Sequence, residues 1–207
     1  MATKAAKKTT PRFVYQLKAT MNGIRPLIWR KFQVESDANL YHMHLVLQEL
    51  MGWYDYHLHE FTIDGIYYGD PEAVDMGPNE IVSDKKKRLS SIIGPEQRFL
   101  YEYDFGDGWE INLIVEKILP VEKDTQYPVC IKGRRAGPPE DCGGVWGYEK
   151  LLGTIRNPDN PEHDEMIEWL GGEFDPEAFD TDEVNAALKN IPKRPGIGGR
   201  QPDIWNF

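Results

Sequence analysis

The sequence predicts an α+β protein, mostly antiparallel hairpins forming a sheet, packed with an early helix and a C-terminal helical cluster. Alternating apolar and polar residues dominate the region up to Val115, and helical spacing dominates from Tyr148 onward. No repeat at a period of about 20–50 residues points to a solenoid or propeller. An apolar share of 40% over 207 residues is enough for a packed core, which excludes disorder throughout.

Residues 1–11 are small, basic and Thr-rich without periodicity, and are expected to form a disordered tail. Phe13, Tyr15, Leu17, Ala19 and Met21 then alternate with Val14, Gln16, Lys18 and Thr20, the pattern of a strand with one buried face. Asn22–Gly23 supplies turn chemistry, and Leu27 to Val34 returns as a second strand with Ile28, Phe32 and Val34 on one side. Ser36 or Asp37 can cap a helix whose stripe is Leu40, Met43, Leu47, Leu50 and Met51, ending at Gly52. Leu58–Ile63, Asp64–Gly65 and Ile66–Tyr68 read as a hairpin around an Asp-Gly turn, followed by a polar loop over 69–88. A third hairpin joins Phe99–Phe105 to Trp109–Val115 through Gly106–Asp107–Gly108, and periodicity then disappears from Tyr127 to Gly147. Helices are expected over Tyr148–Ile155, Glu162–Leu170 and Thr181–Asn190. A single domain over 12–191 and a tail over 192–207 complete the reading.

Composition limits the function. No stretch approaches the ~20 apolar residues of a membrane span, and the N-terminus lacks the apolar core of a signal peptide, so a cytoplasmic protein with no membrane partner is expected. Two cysteines cannot staple 207 residues, and a reducing compartment leaves them as apolar groups, ligands or thiols. The net charge of −10 is local, since 11 acidic residues and no Lys or Arg lie between Asp159 and Glu183. Such a face repels phosphate backbones. The basic clusters Lys4, Lys7, Lys8 and Arg12, and Lys85–Lys86–Lys87–Arg88, read as solvated segments, which leaves nucleic-acid binding unsupported.

Three segments concentrate chemistry. His57 and His59, two apart, would share one face of a strand and can both reach one metal ion; the plainer reading is a pair of partly exposed strand histidines beside aromatics. His42 and His44, two apart on a helix, diverge. Asp104 and Asp107 flank a hairpin tip where glycine backbone can bring both carboxylates to one point, as a hard cation or a general base requires. Asp and Gly equally serve a tight turn for its own sake, and Trp109 reads as core packing. The stretch Cys130–Gly144 gathers two thiols, two guanidiniums and two carboxylates. Cys130 and Cys142 are not at zinc-finger spacing, yet with His57 and His59 they would form a two-Cys two-His metal set if the fold converged them. A cysteine nucleophile would need one of those histidines as base. More simply, Arg135, Glu140 and Asp141 would bond to backbone and to each other, holding a Pro-rich loop.

In order, Tyr15–Lys18, Arg25–Arg30, His57–Phe61, Tyr103–Trp109 and Pro138–Gly144 resemble the plasmid pRiA4b ORF-3-like family, some of whose members are labelled as insertion-element passengers or resolvases. The resemblance runs from about residue 12 to 190, and its last two motifs are specific. It implies one α+β domain associated with plasmids and mobile elements in prokaryotes, and the matching motifs contain no recombinase serine constellation. Many relatives carry Cys where Ala136 stands, so a metal or redox site dependent on that thiol would be lost here.

The resulting expectation is a binding or accessory module. Its surface would comprise His57, His59, Asp104, Asp107, Trp109, Arg135, Glu140 and Asp141, open to a protein partner or small ligand. One alternative is a divalent-metal-dependent hydrolase or nuclease using Asp104, Asp107, Glu140 or Asp141 as ligands and a histidine for proton transfer. The other is a DNA-binding accessory protein, resting on family context and the basic tail.

Overall fold

The structure, a computed structural model, describes residues 12–72 and 80–192; both expected tails lie outside the described residues, Pro192 excepted. The strands are β1 Phe13–Met21, β2 Trp29–Glu35, β3 His59–Ile63, β4 Ile66–Gly69, β5 Ile81–Ser83, β6 Arg98–Tyr103, β7 Trp109–Pro120 and β8 Val129–Arg134. The helices are α1 Leu40–Met51, α2 Gly144–Ile155, α3 His163–Trp169 and α4 Thr181–Leu188. One eight-stranded sheet runs β5-β4-β3-β6-β7-β1-β2-β8. Its pairs are antiparallel except β4–β5. This is the expected α+β class.

Alternation along β1 buries Tyr15, Leu17, Ala19 and Met21, and the same face continues through Phe32 and Val34 of β2, Phe61 and Ile63 of β3, Tyr101 and Tyr103 of β6, and Ile111, Leu113 and Val115 of β7. Leu40, Met43, Val46, Leu47 and Leu50 of α1, with Tyr148 and Leu151 of α2 and Leu188 of α4, join that face in one core. Each fully buried aliphatic side chain there contributes about 1.5–3 kcal/mol. The left-handed Gly52 ends α1, its N–H donating to the Gln48 carbonyl. Among the described residues, no helix is long and apolar enough to cross a membrane.

Several boundaries differ from expectation for identifiable reasons. The cap of α1 is Asn39, which sits in extended backbone just before Leu40 and accepts through its side chain from the His42 N–H, while the Ser36 hydroxyl accepts from the Phe13 N–H. The supposed loop over 69–88 contains β5 and a 3-10 turn at Asp84–Lys86; residues 73–79 lie outside the described residues. The irregular stretch Tyr127–Gly147 contains β8, which among the described residues is an edge strand paired with β2 alone, and α2 begins at Gly144. Asp104 and Phe105 belong to the β6–β7 turn, not to the strand.

Among the described residues, two arginines are buried. Arg30, on the inner face of β2, donates from Nε to the Leu50 carbonyl at 2.7 Å and from Nη1 to the Trp29 and Arg134 carbonyls, each at 3.0 Å. Arg135 donates from Nη1 to the Pro26 carbonyl at 2.7 Å and pairs through Nε with Glu177 at 2.8 Å.

Candidate functional site

Pairing of His59 with Tyr103, and of Tyr103 with Trp109, puts the start of β3, the end of β6 and the start of β7 at one end of the sheet. The segment before β3 and the β6–β7 turn therefore emerge side by side, and the Asp104 N–H donates to the Leu58 carbonyl at 2.9 Å. The stretch before α2 folds over both. Trp53 Nε1 donates to the Pro138 carbonyl at 2.9 Å, the Tyr54 N–H to Glu140 Oε2 at 3.1 Å, and the Gly143 N–H to Asp107 Oδ2 at 3.1 Å. The approach is close enough to demand glycine: a Cβ on Gly144 would stand 2.3 Å from the Asp107 carbonyl oxygen, and one on Gly147 1.9 Å from that of Cys142.

His57, Asp104 and Asp141 meet at this junction. His57 Nε2 lies 3.0 Å from Asp141 Oδ1 and 3.6 Å from Asp104 Oδ2, and one ligand atom from each residue falls within 4.8 Å of the others. Asp104 and Asp141 both adopt left-handed backbone, φ 55° and 58°, which turns their carboxylates inward from tight bends. Asp104 Oδ1 accepts from the Gly106 and Asp107 N–H groups, leaving Oδ2 for the cluster. The Tyr103 hydroxyl donates to Glu140 in a short hydrogen bond and accepts from the Tyr56 N–H at 3.1 Å. Burial and the adjoining Glu140 carboxylate push the Tyr103 hydroxyl far above its ordinary range, so it stays a proton donor. Among the described residues, no Lys or Arg forms an ion pair with Asp104, Asp107, Glu140 or Asp141. Exposed Tyr54 and Tyr56 stack on each other at 5.7 Å beside the cluster.

Other expected site residues lie elsewhere. His59 turns into the core, its ring stacked on His44 at 3.6 Å and its Nε2 3.0 Å from Asp84 Oδ2, because the residue at 59 begins the inward-facing register of β3 whereas His57 precedes the strand. Trp109 is 1% exposed and packs near Trp53 and Tyr148, so it is core and not binding surface. Arg135 is equally buried and joins Pro26 and Glu177 instead of Glu140 and Asp141. The set Cys130, Cys142, His57 and His59 does not gather; among the described residues only His57, Asp104 and Asp141 form a metal-sized group. Cys130 sits in β8 with its thiol directed to the Lys31 and Lys132 carbonyls. Burial, reinforced by the charge of Asp107, pushes the Cys142 thiol up to about 12, which leaves it protonated and a poor nucleophile.

Tyr103, which braces Glu140, opens the Tyr103–Trp109 motif yet is absent from the expected site residues, although an inward-facing tyrosine next to Asp104 must find a partner for its hydroxyl. His44, Asp55 and Asp84, which surround His59, are likewise missed.

Fold and site together define an α+β protein with a compact His/Asp centre at one end of a mixed eight-stranded sheet. The chain belongs to the plasmid pRiA4b ORF-3-like protein family, whose model matches residues 13–183. It is 32% identical over 180 residues to "Uncharacterized protein y4hQ" of Sinorhizobium fredii, covering 86% of this chain and 92% of that one. It is also similar to the crystal structure of MM3350, described as a protein of unknown function, from Methanosarcina mazei Go1. That likeness has a TM-score of 0.76 at 41% identity, over 84% of this chain and 99% of the other.

Proposed function

We propose that this protein binds a divalent cation through His57 Nε2, Asp104 Oδ2 and Asp141 Oδ1, as the centre of a metal-dependent hydrolytic site. One observation carries the reading. His57 Nε2 is a buried nitrogen that lies 3.0 Å from a carboxylate oxygen without meeting hydrogen-bond geometry, so it is held for something other than a hydrogen bond to the protein. Ligand atoms at ~2.1 Å around a tetrahedral ion sit about 3.4 Å apart. The separations from His57 Nε2, 3.0 Å and 3.6 Å, bracket that spacing. A set of one imidazole and two carboxylates neutralises a divalent charge and leaves a position for water or a ligand oxygen, the arrangement of catalytic and not of closed structural sites. Glu140 and Asp107 form the surrounding layer, and Tyr54 and Tyr56 offer an apolar wall to a bound molecule.

Elemental analysis of protein purified without chelators, with zinc or manganese titrated into stripped protein, tests this. The expected result is one ion per chain and stabilisation of about 2.7 kcal/mol when free metal exceeds Kd a hundredfold, both abolished in Asp104→Asn and His57→Gln. Absence of metal together with no thermal shift would remove the reading.

A further inference from the structure

Arg12, the described member of the N-terminal basic cluster, meets part of the second basic run. Arg12, Lys85, Lys86 and Arg88 line a cleft of about 750 Å³, flanked by the 121–128 connection and the end of α4. It is a site apart from the His57 cluster, with no lining residue in common. Its volume falls in the range of about 300–1,000 Å³ typical of small-molecule sites.

Charge decides what would enter it. Lys86, Arg88, Lys123 and Lys189 line the cleft, are exposed, and among the described residues form no ion pair. Arg12 pairs with two carboxylates, Glu35 and Asp37, one more than its charge offsets, and Lys85 is paired with Asp70. Two acidic residues remain, Glu122 and Asp124, with Glu122 accepting from the Thr125 hydroxyl at 3.0 Å. Four cations against Glu122, Asp124 and the second carboxylate at Arg12 leave the cleft slightly positive, in a chain whose net charge is −10. The N-terminus of α1 opens here through Ala38, Asn39 and His42, and its first turn holds no acidic side chain. The helix therefore adds its positive end to four ammonium and guanidinium groups. Four separate cations along one cleft suit the clustered charge of a phosphate or diphosphate group. A duplex would instead need an extended basic face, whereas Glu122 and Asp124 interrupt the cations here.

We propose that this cleft binds a small phosphorylated molecule, with its phosphate held by Lys86, Arg88, Lys123 and Lys189 at the N-terminus of α1. Isothermal titration of the full chain with inorganic phosphate, pyrophosphate and ADP tests it, with a single-stranded oligonucleotide as comparator. Pyrophosphate or ADP is expected to bind and to raise Tm. The double variant Lys86→Ala/Arg88→Ala weakens that binding at least tenfold, and so does Lys123→Ala/Lys189→Ala, each keeping the ligand-free Tm. Binding unchanged in His57→Gln separates the cleft from the candidate metal centre. Tighter binding of ADP than of pyrophosphate marks an ester ligand, and the reverse a free inorganic anion. No binding of any phosphate probe at millimolar concentration overturns the proposal, as does binding indifferent to both double variants. Affinity that appears only with the oligonucleotide overturns it in favour of a nucleic-acid surface.

Discussion

Tyr103 is the side chain on which the candidate centre leans. Its ring is fully buried against Trp53 at 4.7 Å, while its hydroxyl reaches out to Glu140 and receives the Tyr56 N–H. One oxygen thus ties the strand end to both of the loops that bring His57 and Asp141 together. Tyr103→Phe keeps the packing and deletes only that link. Two polar groups near the surface then exchange a protein partner for water, so unfolding by urea should register only about 1 kcal/mol of lost stability. The metal affinity should fall more steeply, by about 10–100-fold, because groups that orient ligands act on geometry and not on fold. A titration of zinc into the two proteins measures the ratio. Equal affinities would show that the loops hold their shape without the hydroxyl.

At the scale of elements, the hairpins were legible because each has one buried face and a turn that demands particular residues; Asp64 and Gly65 are both left-handed between β3 and β4, as an Asp-Gly turn requires. The edge strands were not. Along β8 only Cys130 is buried, so no alternation marks it, and β5 contributes three half-buried residues. The candidate centre was half legible for a related reason. His57, Asp104 and Asp141 stand out as residue types in turns, but which of eight candidates meet depends on loops crossing between distant segments. Arg30 illustrates what periodicity conceals, since a charged residue at an inward position of β2 contradicts the pattern yet occupies the centre of the element network. Its guanidinium binds the end of α1 and the end of β8, and lies 4.3 Å from the ring of Phe179. Arg30→Leu should therefore lower unfolding free energy by about 2–4 kcal/mol, because the carbonyls of Leu50 and Arg134 lose their donor inside the protein. Arg30→Lys keeps the charge without the planar fork and should recover only part of that loss. Urea midpoints at unchanged slope would read the effect directly, and a leucine variant as stable as the parent would show that relief from burying a charge outweighs the lost bonds.

For the molecule as a whole, the most consequential buried group is one whose face the helical pattern made unremarkable. His44 of α1 is fully buried, stacked on His59 of β3, with Nδ1 2.7 Å from the Tyr101 hydroxyl of β6 and Nε2 2.8 Å from Asp55 Oδ1. Asp84 faces the same pair from the other side through His59, and Tyr41 lies against both rings. Helix, sheet, the loop leading to His57 and the turn at Asp84–Lys86 are thereby joined through one titratable stack. Burial, followed by the neighbouring His59, lowers His44 to about 4, while Asp55 and Asp84 oppose the shift. In the unfolded chain the same imidazole titrates near its ordinary value of about 6.5. Between those two values the unfolded state takes up a proton that the folded state refuses, so this contribution is complete above about pH 6.5 and is lost as pH falls toward about 4. The full difference is on the order of 3 kcal/mol. Glu49, Glu60 and Glu102, whose carboxyls burial pushes upward, act with the opposite sign just above their ordinary range. The comparison must therefore be between the parent and His44→Gln, which retains a group able to hydrogen-bond Tyr101. Urea unfolding of both at intervals from about pH 7 down to about pH 4.5 reads the stack alone, since the titrating groups outside it are shared. The stability gap between them should narrow as the solution becomes more acid. A gap constant across that range would mean that the folded protein accepts a proton at His44 as readily as the open chain does, and that the stack is no barrier to charge.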